Sequence, residues 1–280
     1  MTDPATSPAD SSQRTGEATD GDPQPEACPI VAIGASAGGL EAFKAFFEAM
    51  PPEPDMAFVL ISHLDPDHDS LLGEIMGRHS DMPAIPVHEP VTVEPSRIYV
   101  LPPNRNLTLA GEELVPGPIP PDTVINRPVD LFFRSLAEGR KERAIGVILS
   151  GAMSDGALGL QEIKARGGLV MAQRPDTARY DGMPKSAVET GMVDWVLPVE
   201  EMPEAIRRFV AHPYVNRPEP GWAREDLETV LAFLRTRFKM DFRAYKRETL
   251  LRRTQRRMGL RQITQMGEYL QLLRKAPEEA

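Results

Sequence analysis

The chain has 280 residues, enough for one large domain and a smaller companion. At 41% hydrophobic and 6% aromatic with a formal charge of −9, it has the balance of an acidic globular protein, and its one cysteine, Cys28, excludes an internal disulfide framework. No apolar run approaches the about 20 residues of a membrane span and no basic-then-apolar leader opens the chain, so membrane insertion is not expected and a cytoplasmic location is.

Residues 1–28 are rich in Pro, Ser, Thr, Asp and Gly, with one Arg against six acidic side chains. Such a stretch buries too little apolar surface to offset its ordering entropy, which predicts a disordered acidic tail. Residues 29–212 then alternate short apolar runs with amphipathic ones. Strands are expected at Ile30–Ile33, Ala57–Ile61, Arg97–Leu101, Ala144–Leu149, Leu169–Ala172 and Trp195–Leu197, with a hairpin over Leu107–Val115 around Gly111. Helices are expected at Leu40–Met50, Ser70–His79, Pro128–Glu138, Asp155–Arg166 and Glu200–Val210. Strands alternating with helices predict an α/β domain built on a doubly wound, mostly parallel, Rossmann-like sheet.

The pattern changes after His212. Pro213, Pro218, Pro220 and Gly221 read as a linker over 213–221, and residues 222–280 read as a small all-α module with helices at Arg224–Phe238, Arg243–Met258 and Met266–Lys275. Eleven Lys/Arg face five Asp/Glu between Arg224 and Arg257, making a basic module on an acidic protein.

Three segments carry the chemistry. Gly34-Ala35-Ser36-Ala37-Gly38-Gly39, Ser62-His63-Leu64 and Met153-Ser154-Asp155-Gly156 each follow an apolar run. Parallel strands would bring a serine, a histidine and an aspartate to the carboxyl edge of one sheet, the equipment for nucleophilic hydrolysis. Around Ser36 the sequence fits G-x-S-x-G, a nucleophile on a sharp strand-to-helix turn. The same glycines also suit a plain tight turn, and a dinucleotide-binding turn is disfavoured because it needs glycine where Ser36 stands. His63, Asp65, Asp67 and His68 form a possible metal set, weakened by Pro66 and by the want of a second ligand-rich segment. Asp155 and Ser154 also suit helix capping. No cofactor is called for. The Ser–His–Asp order differs from the Ser–Asp–His order of α/β-hydrolases.

With these segments in view, Ile30 to about Arg208 resembles the catalytic domain of the bacterial chemotaxis protein-glutamate methylesterases (CheB). The resemblance rests on Gly34–Gly39 with Leu40-Glu41-Ala42, on Ser62-His63-Leu64, on Leu149–Ala157, on Pro102-Pro103-Asn104 and on Asp181–Ala187. It implies Ser36 as nucleophile, His63 as general base and then acid, Asp155 as the orienting carboxylate, and backbone amides of Ala37 and Ala152 at the oxyanion. It implies hydrolysis of glutamate γ-methyl esters, with deamidation of glutamine, on receptor helices of a chemotaxis-like signalling system. Three positions depart from the family's usual residues: Ala37 stands for Thr, Ser62 for Gln and Ala152 for Met. No receiver-like segment precedes Ile30, so phosphorylation relief is not expected in this chain.

Phe238–Phe242, Tyr245-Lys246, Thr249–Arg253, Arg256–Met258 and Glu268–Leu270 resemble the helical N-terminal part of chemoreceptor methyltransferases (CheR). No strand or glycine-rich turn follows to bind S-adenosylmethionine, so methyl transfer by this chain is not expected. On a helix Arg252, Arg253, Arg256 and Arg257 share a broad basic face. It reads as a solvated face or as a docking site for acidic receptor helices; nucleic acid or an anionic membrane is the less favoured reading. A catalytically quiet signalling scaffold is the alternative to the esterase, with a metallohydrolase third.

Overall fold

Six apolar residues in succession, Ile30–Ala35, leave a strand no polar face, and it is buried on both sides at the centre of a seven-stranded sheet. The computed structural model describes residues 28–52, 54–62, 69–121, 123–216 and 224–279. In chain order the elements are β1 (Ile30–Ala35), α1 (Gly39–Glu48), β2 (Ala57–Ser62), α2 (Asp69–His79), β3 (Ala84–Pro86), β4 (Val91–Thr92), β5 (Ile98–Val100), β6 (Arg105–Ala110), β7 (Glu113–Pro118), α3 (Pro128–Arg140), β8 (Ala144–Ile148), α4 (Ala157–Ala165), β9 (Leu169–Gln173), α5 (Gly182–Glu189) and β10 (Trp195–Leu197). They are followed by α6 (Met202–Ala211), α7 (Pro213–Asn216), α8 (Arg224–Phe238), α9 (Arg247–Leu260) and α10 (Met266–Lys275).

The main sheet has the order β10-β9-β8-β1-β2-β5-β3, and every pairing in it is parallel. The chain winds from β1 toward β3 on one side, then crosses back and winds from β8 to β10 on the other. The order therefore reverses between β1 and β8, the place where open α/β sheets form a crevice. Odd positions of β1 (Val31, Ile33, Ala35) pack against Phe43, Phe46 and Phe47 of α1 and Ile206 and Phe209 of α6. Even positions (Ile30, Ala32) face Val129, Phe132 and Phe133 of α3, with α4, α5 and the small antiparallel sheet β4-β7-β6 completing that layer. Each fully buried Phe of these layers contributes on the order of 1.5–3 kcal/mol by leaving water.

Most expected elements are present, with differences that have local causes. The expected helix at Asp155–Arg166 begins instead at Ala157, because Gly156 takes a left-handed φ of 93°. The helix expected from Arg243 begins at Arg247, because the Arg243 amide and guanidinium turn back onto Asp241. Pro213–Asn216, expected as linker, is the helical turn α7, held because Tyr214 and Val215 are buried against the main core. Cys28, expected at the end of the tail, is half-buried beside the second core layer, where burial pushes its thiol up to about 11. Residues 1–27 of the tail and residues 217–223 lie outside the described residues. The helical module has its own small core of Val230, Met258, Met266, Tyr269 and Leu273. Among the described residues no helix is long and apolar enough to cross a membrane.

Candidate active site

The register of the three central strands sets the site. Gly34 of β1 lies level with Ile61 of β2 and Ile148 of β8, and Ala35 lies level with Ser62. Ser36 thus leaves β1 at the same height at which β8 delivers Leu149 and Ser150. The expected shared edge holds for these strands. His63, together with the metal set His63, Asp65, Asp67 and His68, lies outside the described residues. Ser62, just before it, has a buried hydroxyl with no partner among the described residues.

Ser36 is half-buried at the start of the turn into α1. Its N–H donates to the Ser150 carbonyl at 3.0 Å, and its own carbonyl accepts from Gly39 at 2.8 Å. Two glycines are needed here. Gly38 has φ 71°, and a Cβ on it would stand 2.8 Å from the Ser150 hydroxyl; a Cβ on Gly151 would press on Met183 and stand 3.1 Å from the Ser36 Cβ. The Ala37 and Ala152 N–H groups, expected at an oxyanion, donate to no group among the described residues. Ala37 follows Ser36 directly, and Ala152 follows the glycine packed against it, so two unengaged donors flank the serine.

Ser150 was not singled out by the sequence, yet it is the most connected residue of the turn. Its hydroxyl donates to the Ala37 carbonyl at 2.9 Å and accepts from the Tyr180 N–H at 3.0 Å. Its N–H donates to Gln173 Oε1 at 2.8 Å, while Gln173 Nε2 donates to the Thr177 carbonyl at 3.1 Å. Next to it, the Gly151 N–H donates to the Tyr180 carbonyl and the Met183 N–H to the Gly151 carbonyl, both at 2.9 Å. Ser150 and Gln173 are buried, whereas Tyr180 and Met153 stand about half and about two-thirds exposed at the rim.

Asp155 is buried, and its carboxylate accepts from the Val129 and Asp130 N–H groups, each at 3.0 Å. It therefore caps α3 rather than the helix that follows it. Asp130 returns the contact by accepting from the Gly159 N–H in α4 at 2.7 Å. Burial raises the Asp130 carboxyl above its ordinary range, with the Gly159 N–H opposing the shift. This crossed capping fixes the loop carrying Asp155 against two helix N-termini, whose dipoles favour its charge.

Three of the four arginines expected to share a basic face on α9 form ion pairs within the chain. Arg256 donates to the Gly167 and Gly168 carbonyls and pairs with Asp194 at 2.5 Å. Arg252 pairs with Glu142 at 3.0 Å, and Arg257 pairs with Glu279 within the module at 2.6 Å. Only Arg253 of the four is exposed without such a contact among the described residues. Glu142, Gly167, Gly168 and Asp194 precede β8, β9 and β10, so α9 clasps the amino edge of the sheet, opposite the edge bearing Ser36. The carboxylates that capture these guanidinium groups lie far away in sequence, which no local charge pattern reveals.

Two family models match separate stretches of the chain. The family model described as CheB methylesterase matches residues 31–206, and that described as CheR methyltransferase, all-alpha domain, matches residues 225–280. The solved catalytic domain of the Thermotoga maritima CheB methylesterase is similar at 30% identity with a TM-score of 0.59, over 64% of this chain and 97% of that one. A Burkholderia lata protein-glutamate methylesterase/protein-glutamine glutaminase is 33% identical over 64% of this chain and 54% of its own length. An uncharacterised 104.1 kDa protein of Rhodobacter capsulatus is 32% identical over 72% of this chain. The chain spans only 24% of that protein's length.

Proposed function

The chain belongs to the CheB methylesterase family, and from that premise we propose that it is a serine hydrolase cleaving glutamate γ-methyl esters on signalling-protein helices, with the matching deamidation of glutamine. The observation that carries this reading is the half-buried Ser36 on a tight turn at the strand-order reversal, flanked by the unengaged N–H groups of Ala37 and Ala152. In the proposed cycle His63 takes the Ser36 proton as Oγ attacks the ester carbonyl carbon. The oxyanion is held by the two N–H groups, and methanol leaves carrying the proton returned by His63. Water, losing its proton to the same imidazole, then attacks the glutamyl ester and frees Ser36. With glutamine the leaving group is ammonia. Asp155 orients the imidazole and stabilises its charged form.

The exposed Met153 and Tyr180 at the rim suit a broad, helical substrate better than a small enclosed one. Chemoreceptor-type helices in the cytoplasm are the partners we propose, from the pairing of methylesterase-like and methyltransferase-like segments in one chain. The test is methanol release from a methyl-glutamate receptor helix. Ser36→Ala is expected to lower kcat by about 10⁴-fold or more while unfolding at the wild-type temperature. Equal release by the two proteins would refute the reading.

A further inference from the structure

Building on the hydrolase reading, we propose that Ser150 is a positioning residue for that reaction, its hydroxyl locking the nucleophile turn to the loop that bears Tyr180. Three other segments, around Ser36, Gln173 and Tyr180, meet on this residue. Its carbonyl receives the Ser36 N–H at 3.0 Å, and its hydroxyl spans the Ala37 carbonyl and the Tyr180 N–H. Its N–H is held by Gln173 at the end of β9. No atom of Ser150 touches substrate in this scheme; it acts through Ser36 and Ala37.

The chemistry of the hydroxyl explains the choice of residue. One group must donate to a carbonyl and accept from an N–H at once, which a hydroxyl does and an alkyl group does not. Ala37 is the sensitive residue. Its N–H, in the Ser36–Ala37 peptide, is the proposed oxyanion donor. Its carbonyl, in the following Ala37–Gly38 peptide, accepts from Ser150 Oγ, while the Ser36 N–H donates to the Ser150 carbonyl, so Ser150 pins the peptides on both sides of the one that bears the donor. Removing the hydroxyl leaves the Ala37 carbonyl and the Tyr180 N–H without their partner in a part-buried place and frees the Ala37–Gly38 peptide, so the adjoining peptide that bears the Ala37 N–H loses one of its anchors. The loss therefore falls on the transition state, where a displacement of about 1 Å costs roughly 10²-fold.

The experiment compares wild type, Ser150→Ala, Ser150→Thr and Ser36→Ala in methanol release, with thermal unfolding and amide hydrogen exchange recorded on each. Ser150→Ala is expected to lower kcat by about 10²-fold with KM within about twofold. Exchange should rise at residues 36–39 and 180–183 and nowhere in α8–α10, and Ser150→Thr should restore most of the rate. If Ser150→Ala does not fold, Ser150→Cys, with similar shape and a weak donor, carries the same comparison. Wild-type kcat in a folded Ser150→Ala, or a loss that appears only in KM, overturns the proposal while leaving the hydrolase reading intact. A wild-type chain that releases no methanol overturns the hydrolase reading, and the proposal falls with it.

Discussion

The two edges of the main sheet use the same kinds of polar residue to opposite ends. At the amino edge, the Asp194 carboxylate, its side chain 2% exposed, receives Lys164 at 2.7 Å, Arg256 at 2.5 Å and the Val170 N–H at 3.1 Å. The Gly167 carbonyl accepts from both Arg256 and the Tyr214 hydroxyl. These charges are answered by other groups of the chain, and the product is a joint between domain and helical module. At the carboxyl edge the buried groups (Ser150, Gln173, Asp155) are satisfied in the same way, but the layer above them is not. Ser36 and the N–H groups of Ala37 and Ala152, the groups of the proposed site, stand above Ser150, Gln173 and Asp155, and the buried Ser62 hydroxyl at the same edge has no partner among the described residues.

Substitutions at the two edges should separate along this line. At the carboxyl edge, Asp155→Asn is expected to lower kcat by about 10⁴-fold, as loss of an orienting carboxylate does. Because Asn keeps one carbonyl oxygen for the α3 N-terminus, its cost in urea unfolding should be only about 1–2 kcal/mol. At the amino edge Asp194→Ala should do the reverse. Removing the carboxylate leaves Arg256 and Lys164 without their counter-charge beside a buried site, so unfolding stability should fall by about 3–5 kcal/mol with kcat unchanged in the folded protein. A loss of kcat in Asp194→Ala would break the proposed independence of the edges.

The smallest expected effect is on pH dependence. His212, between α6 and α7, accepts the Tyr214 N–H at Nδ1 and donates from Nε2 to the Ile263 carbonyl of the module. Burial lowers its pKa below the ordinary 6.5, the Ile263 bond opposing in part. Below that value the unfolded chain binds the proton more readily than the folded one. The His212 contribution is therefore complete above pH 6.5 and is lost as pH falls through the lower folded value. Urea midpoints measured from pH 7.5 to pH 5 should decline more steeply in wild type than in His212→Gln. Parallel profiles would remove the histidine from the joint.

Much of the sheet was legible because parallel strands buried on both faces read as unbroken apolar runs; β1, β2, β8 and β9 are such runs, bounded by Gly, Ser or Arg. The three-residue β3 (Ala84–Pro86) and the helix α5 behind Gly182-Met183-Pro184 were not, being too short or too Pro-marked to show a period. Within the site, Ser36 and Asp155 stood out because their neighbours form local motifs. Ser150, Gln173 and Asp130 did not, because what they do is set by partners 23 to 113 residues away. The ion pairs of the α9 arginines are hidden for the same reason: spacing shows that the arginines share a face, and only the fold shows that Glu142 and Asp194 lie opposite two of them.

The most direct measurement is peptide mapping after exposure to a fluorophosphonate, which reacts with activated serine hydroxyls. The account predicts one adduct, on Ser36, abolished in Asp155→Ala and slowed in Ser150→Ala. An adduct on another serine, or an unlabelled Ser36 in a chain that still releases methanol, would contradict it.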